Sequence, residues 1–149
     1  TFMTVAMGKT GKSAHEAIDL GFAKAGDTIL FNARELLFVA LKEARLLADA
    51  GYVPPVPARG VPVAGRTGIA TMEMTLINMR EGGMISAHDY RVSRAVAVAL
   101  CGGEVEYGSL VDEAWLLAVE RQQFLELLKT PETQARIKHM LDTGKPLRN

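Results

Sequence analysis

Ser13-Ala14-His15-Glu16-Ala17-Ile18-Asp19-Leu20-Gly21-Phe22 is a short helix written with both of its ends. Ser13 is placed to accept a hydrogen bond from the Glu16 amide while Glu16 reaches back, the reciprocal arrangement that starts a helix. Ala14, Ala17 and Ile18 share one face at helical spacing, and Gly21 supplies the left-handed residue that ends the element. Alanines on that face permit close packing against a neighbour. Caps of this kind recur along the chain and predict an all-α fold of about six helices.

Working outward, Asn32 with Glu35 opens a long second helix that Gly51 stops. Ala33, Leu36, Leu37, Ala40, Leu41, Ala44, Leu47 and Ala48 form one stripe, and Phe38 and Val39 widen it, so this helix is expected to touch two neighbours. Residues 52–68 hold four prolines and three glycines and are expected to run extended over a surface. A third helix is expected over 69–80, with Ile69, Met72, Leu76 and Met79 on its inner face. Ser86 with Asp89 opens the fourth, whose second half, Ala95 to Cys101, is apolar all round and marks the most buried element. Ser109 with Asp112 is expected to open the fifth, with Leu110, Ala114, Leu117, Phe124 and Leu128 facing inward. Thr130-Pro131 caps the last helix, which runs to about Asp142 before Gly144 closes it. No strand pattern of comparable quality appears.

The bulk numbers bound the function. At 149 residues with 48% hydrophobic and 23% charged content, the chain is expected to fold as one helical domain. Seventeen basic residues balance seventeen acidic ones, so no basic excess points to nucleic acid. No apolar run approaches the roughly 20 residues of a membrane helix. The lone Cys101 cannot form an internal disulfide, and a cytoplasmic setting is expected. The apolar opening Thr1-Phe2-Met3 reads as a cut from a longer protein.

Several residues invite chemistry. Ala6-Met7-Gly8-Lys9-Thr10-Gly11-Lys12-Ser13 satisfies a relaxed phosphate-loop pattern, in which Lys12 would meet terminal phosphates and Ser13 a magnesium ion. That loop needs a strand before it, and Thr1 to Val5 would have to supply one. A glycine-bearing lead-in to a capped helix is the preferred reading, with nucleotide binding through residues 6–13 as an alternative. His15, His88 and His139 fall on three helices without metal-ligand spacing, so no metal site is expected. Cys101 reads as a buried inert thiol. Glu16 is explained by its cap, and Glu113 and Glu120 by a solvated flank. Met72, Met74, Met79 and Met84 would suit an adaptable acyl-binding surface, but core filling is the preferred reading, because Met72 and Met79 lie on the inner stripe.

The order Ser13-Ala14, Glu16-Ala17, Gly21-Phe22 resembles the S-A-x-E-A-x-x-x-G-hydrophobic segment of the crotonase superfamily, which includes the enoyl-CoA hydratases. Further along come Glu120-Arg121-Gln122-Gln123-Phe124, Thr130-Pro131-Glu132-Thr133-Gln134, Arg136-Ile137 and Gly144-Lys145-Pro146-Leu147-Arg148-Asn149. This string resembles the C-terminus of bacterial fused 3-hydroxyacyl-CoA dehydrogenase/enoyl-CoA hydratases, as do Asn32, Leu36-Leu37, Gly51-Tyr52, Pro54-Pro55, Gly82-Gly83, Ile85-Ser86 and Asp89. The likeness covers essentially the whole chain.

The resemblance implies a C-terminal helical domain over 1–149: a crotonase-like segment at 13–51, a family-specific insert at 52–108 and closing helices at 109–149. In that family two glutamates hydrate the enoyl bond and two amides polarise the thioester, all upstream of the S-A-x-E-A segment. No catalytic residue is therefore carried over. The implied role is to cover the acyl-CoA site of a fatty-acid β-oxidation enzyme and to pack against its hydratase and dehydrogenase domains or a second subunit. CoA thioester and NAD are implied for the parent and no cofactor for this part. Phe124 and Lys145 stand near where relatives contact CoA. A hydratase active on its own is the remaining alternative.

Overall fold

A computed structural model describes residues 2–149. Its described residues carry seven α-helices and one two-stranded sheet, so the fold is mostly helical as the caps indicate. By internal contacts the chain divides into two units: the stretch up to Lys9 with Pro57–Asn149, and Thr10–Val56.

The smaller unit holds α2 (Ala14–Asp19), a 3-10 turn (Ala33–Glu35) and α3 (Leu36–Asp49). Ser13 caps α2 by accepting from the Glu16 amide at 3.1 Å, as its sequence indicates. The return bond differs by one residue: the Glu16 carboxylate accepts from the Lys12 amide at 2.8 Å rather than from Ser13. Asn32 caps the 3-10 turn by accepting from the Arg34 amide. No residue of this unit is buried. Leu36, Leu37, Phe38, Leu41, Leu46 and Leu47 along α3 are all exposed, and Phe31 is fully so. The apolar stripe that the sequence displays is real, and nothing within the unit covers it.

The larger unit holds α1 (Phe2–Ala6), β1 (Val61–Pro62), α4 (Gly65–Glu81), α5 (Ala87–Leu100), β2 (Leu110–Val111), α6 (Glu113–Leu128) and α7 (Pro131–Thr143). β1 and β2 pair antiparallel, Val61 opposite Val111 and Pro62 opposite Leu110. Helix α5 contributes the most buried residues, among them Ala95, Ala97 and Val98, in keeping with its apolar second half. Ile69, Val98, Cys101 and Val119 form the core cluster, with Met72 packed against it. Ile69 and Leu76 of α4 are buried, and Met72 and Met79 half-buried, as their spacing indicates; Met74 and Met84 do not fill the core as expected but are exposed, because they lie off the inner stripe.

Two boundaries and one packing face depart from expectation, each for a non-local reason. Helix α4 begins at Gly65, inside the stretch expected to be extended. Its first amides are satisfied from afar: the Gly65 N–H donates to the Cys101 carbonyl at 2.9 Å, and the Arg66 N–H to that of Val105 at 2.8 Å. Helix α6 begins after Asp112, not Ser109, because the Ser109 carbonyl accepts from the Val63 amide and the next two residues form β2. The inner face of α6 is also different. Leu110, Leu117 and Phe124 are exposed, while Val119 is buried and the Trp115 indole donates to the Gly102 carbonyl at 2.9 Å. Apolar residues surround α6, so periodicity could not select the side that packs.

Glycines admit this packing. A Cβ on Gly68 would lie 2.8 Å from the Cys101 Sγ and 2.6 Å from the Ala64 Cβ. Gly102 sits at φ +78, where a Cβ would lie 2.5 Å from a Val63 methyl. Gly83, at φ +69, has open space around it. Gly102→Ala combines left-handed strain of about 1–2 kcal/mol with overpacking of about 1–3 kcal/mol. It is expected to destabilise the larger unit by about 2–5 kcal/mol in urea unfolding, whereas Gly83→Ala costs about 1–2 kcal/mol from strain alone. Equal losses at the two positions would contradict this packing.

Candidate functional site

The phosphate-loop geometry is absent. Residues 2–6 form helix α1 where the loop requires a strand, and the Lys12 amide is engaged by Glu16. His15 is exposed, His139 half-buried and His88 buried, on separate helices. Among the described residues no three His, Cys, Asp or Glu side chains are grouped as a metal site would require. Cys101 is buried at 1% exposure, and that burial pushes its thiol pKa up, so thiolate chemistry is disfavoured.

Two features of the larger unit are built with more care. The first is an open groove of about 620 Å³ between α5 and α6, with Val5 of α1 at its edge. Ala95, Val96, Ala99 and Leu100 form one wall, and Leu116, Leu117, Phe124 and Leu127 the other. Glu113 and Glu120, expected on a solvated flank, line this groove instead. Phe124 is 56% exposed within it. Lys145 is exposed beyond α7, its amide donating to the Thr143 hydroxyl at 3.2 Å. Phe124 and Lys145 thus lie on separate elements, α6 and the segment after α7.

The second is a polar latch between the start of α5 and the segment after α7, which sequence reasoning missed. Ser86 and Asp89 form the full capping box, as their spacing indicates. Asp89 also pairs with Arg136 at 2.9 Å and Arg148 at 3.0 Å. The Asn149 main-chain oxygen accepts from the Ser86 hydroxyl at 2.6 Å and from Arg136 at 3.1 Å. Burial pushes the Asp89 pKa up, but the Ser86 amide and the two guanidiniums outweigh it and hold the carboxyl below its ordinary value. A cap at Ser86 was legible; its second use as an ion-pair hub joins positions 59 residues apart and leaves no local signal.

His88 lies beside this latch, its Nε2 3.0 Å from the Thr133 hydroxyl. Thr130, the cap of α7, shares that hydroxyl at 2.9 Å. A second hub, Glu73, accepts from the Tyr90 hydroxyl at 2.6 Å and from Arg94 at 3.0 Å, tying α4 to α5. The Tyr90 bond, foremost, lowers the Glu73 pKa. Both hubs are satisfied internally, and neither offers a free acid–base pair.

No helix among the described residues is long and apolar enough to cross a membrane. No protein-family model matches the chain. No solved structure matches it. Along its full 149 residues it is 42% identical to a probable 3-hydroxyacyl-CoA dehydrogenase of Bacillus subtilis (strain 168). The matched part is 19% of that protein, so the chain spans about a fifth of the relative's length.

Burial, then the Arg136 guanidinium, lowers the His88 pKa; Arg91 adds to this, while Glu132 and Asp89 pull the other way. A histidine whose folded pKa is depressed binds its proton more readily when unfolded. Its stabilising contribution is therefore complete above the ordinary value of about 6.5 and is lost as pH falls below it. Urea midpoints are expected to drop between about pH 7 and about pH 5. His88→Gln, which keeps a hydrogen-bonding group near Thr133, should flatten that part of the profile. Superimposable profiles for the two proteins would show that His88 does not carry the effect.

Proposed function

We propose that this chain is the C-terminal helical part of a fatty-acid β-oxidation enzyme combining 3-hydroxyacyl-CoA dehydrogenase and enoyl-CoA hydratase activities. In this reading it performs no reaction itself. It covers the acyl-CoA site and packs hydratase, dehydrogenase or neighbouring subunits together. CoA thioester and NAD are ligands of the parent, a cytoplasmic homo-oligomer, and Phe124 and Lys145 contact CoA from this part.

The observation that carries the reading is the 42% identity sustained over every residue of the chain. A likeness restricted to one motif would end where the motif ends. The exposed stripe of α3 supports the packing role, because fully burying each leucine is worth about 1.5–3 kcal/mol and the smaller unit buries none of them. The internally satisfied hubs support the absence of chemistry.

The test is direct. Purified chain is expected to leave the absorbance of crotonyl-CoA unchanged and to form no NADH from 3-hydroxyacyl-CoA and NAD. Turnover abolished by a substitution within these residues would overturn the non-catalytic reading. The same sample is expected to self-associate in sedimentation and to brighten a hydrophobic dye, both reduced by Leu37→Lys with Leu41→Lys. A strictly monomeric, dye-silent chain would remove the support for a packing role.

A further inference from the structure

The groove between α5 and α6 carries a charge pattern that its apolar walls do not require. Glu113 and Glu120 lie two helical turns apart on α6, roughly 10.5 Å along its axis, and both line the groove. No Lys or Arg lines it with them. The Glu113 carboxylate accepts only a long bond of 3.3 Å, from the Ala58 amide. Among the described residues Glu120 has no ion-pair partner. Beside them the floor is small and flat, Ala95 and Ala99 of α5, and one short apolar helix, α1, already packs on α5 at the groove's edge.

We propose that this groove docks an amphipathic helix from outside these 149 residues, whose apolar stripe covers the alanine floor and whose Lys or Arg residues, spaced two turns apart, pair with Glu113 and Glu120. Helix-in-groove recognition uses apolar anchors at three- and four-residue spacing, and complementary charge fixes the register. The same two carboxylates disfavour the other occupants. A free fatty acid would bring its own negative charge to the rim. A second copy docking groove to groove about a two-fold axis would set glutamates against glutamates. The inference stands on the groove alone and does not need the β-oxidation reading.

The probes are fluorescein-labelled synthetic helices of about 18 residues, with a leucine stripe and either lysines or glutamates two turns apart, read by anisotropy against the intact chain. The lysine peptide is expected to bind about tenfold or more tightly than the glutamate peptide, and to weaken as salt rises. Glu113→Gln with Glu120→Gln is expected to erase most of that preference, and Leu117→Ala to weaken both peptides. Leu37→Ala with Leu41→Ala, which alters α3 instead, is expected to leave the lysine peptide's affinity unchanged. Melting temperatures of each variant separate lost docking from lost folding. Equal binding of the two peptides, or indifference to the paired glutamine variant, overturns the proposal. So does displacement of the lysine peptide by palmitate, loss of binding in the α3 variant, or a groove covered by a second copy in solution.

Discussion

Helices α4 and α5 approach so closely at Gly68 and Cys101 that no side chain larger than hydrogen fits at the crossing. Everything else in the larger unit follows from that contact. It brings the Cys101 carbonyl to the Gly65 amide, which starts α4. It turns the chain through Gly102 beneath Val63, so that the Val63 amide and carbonyl can bond Ser109 and Gly108 and seed the two-stranded sheet. It leaves Gly103 as the gap into which Val119 and Trp115 settle, fixing which side of α6 faces inward. The groove is then what remains: the outer surface of α5 and the part of α6 turned away from the core.

What the sequence made legible is what local chemistry decides. Ser13, Asn32, Ser86 and Thr130 all cap helices through their side chains, and Gly144 ends α7 in the left-handed conformation. The misjudged starts of α4 and α6 depend on hydrogen bonds to distant residues, which no window of neighbouring positions contains. The inner face of α6 was illegible for a different reason. Leucines lie on every side of it, and the deciding partners are two glycines outside the helix. The latch around Asp89 was half legible, since the capping role shows in the spacing and the ion pairs with Arg136 and Arg148 do not.

The smaller unit shows the limit from the other side. Its caps and stripe were readable, yet a stripe says only that something covers it. Forty-odd residues without one buried side chain have no core to offset the entropy of ordering them. Such a segment takes its stability from surfaces that it does not itself contain. The phosphate-loop pattern at its start is the opposite case, a spacing that matches while its preceding element is helical. Spacing alone carried no chemistry there.

Trp115 is the sole tryptophan, and its indole is anchored to the Gly102 carbonyl at the heart of the larger unit. Intrinsic emission excited at the red edge of protein absorption is therefore a built-in spectroscopic reporter that originates in that unit, since residues 10–56 contain no tryptophan. Far-ultraviolet dichroism, by contrast, sums helix from both. The difference between the two melting curves isolates the loosening of α2 and α3 without any label being introduced.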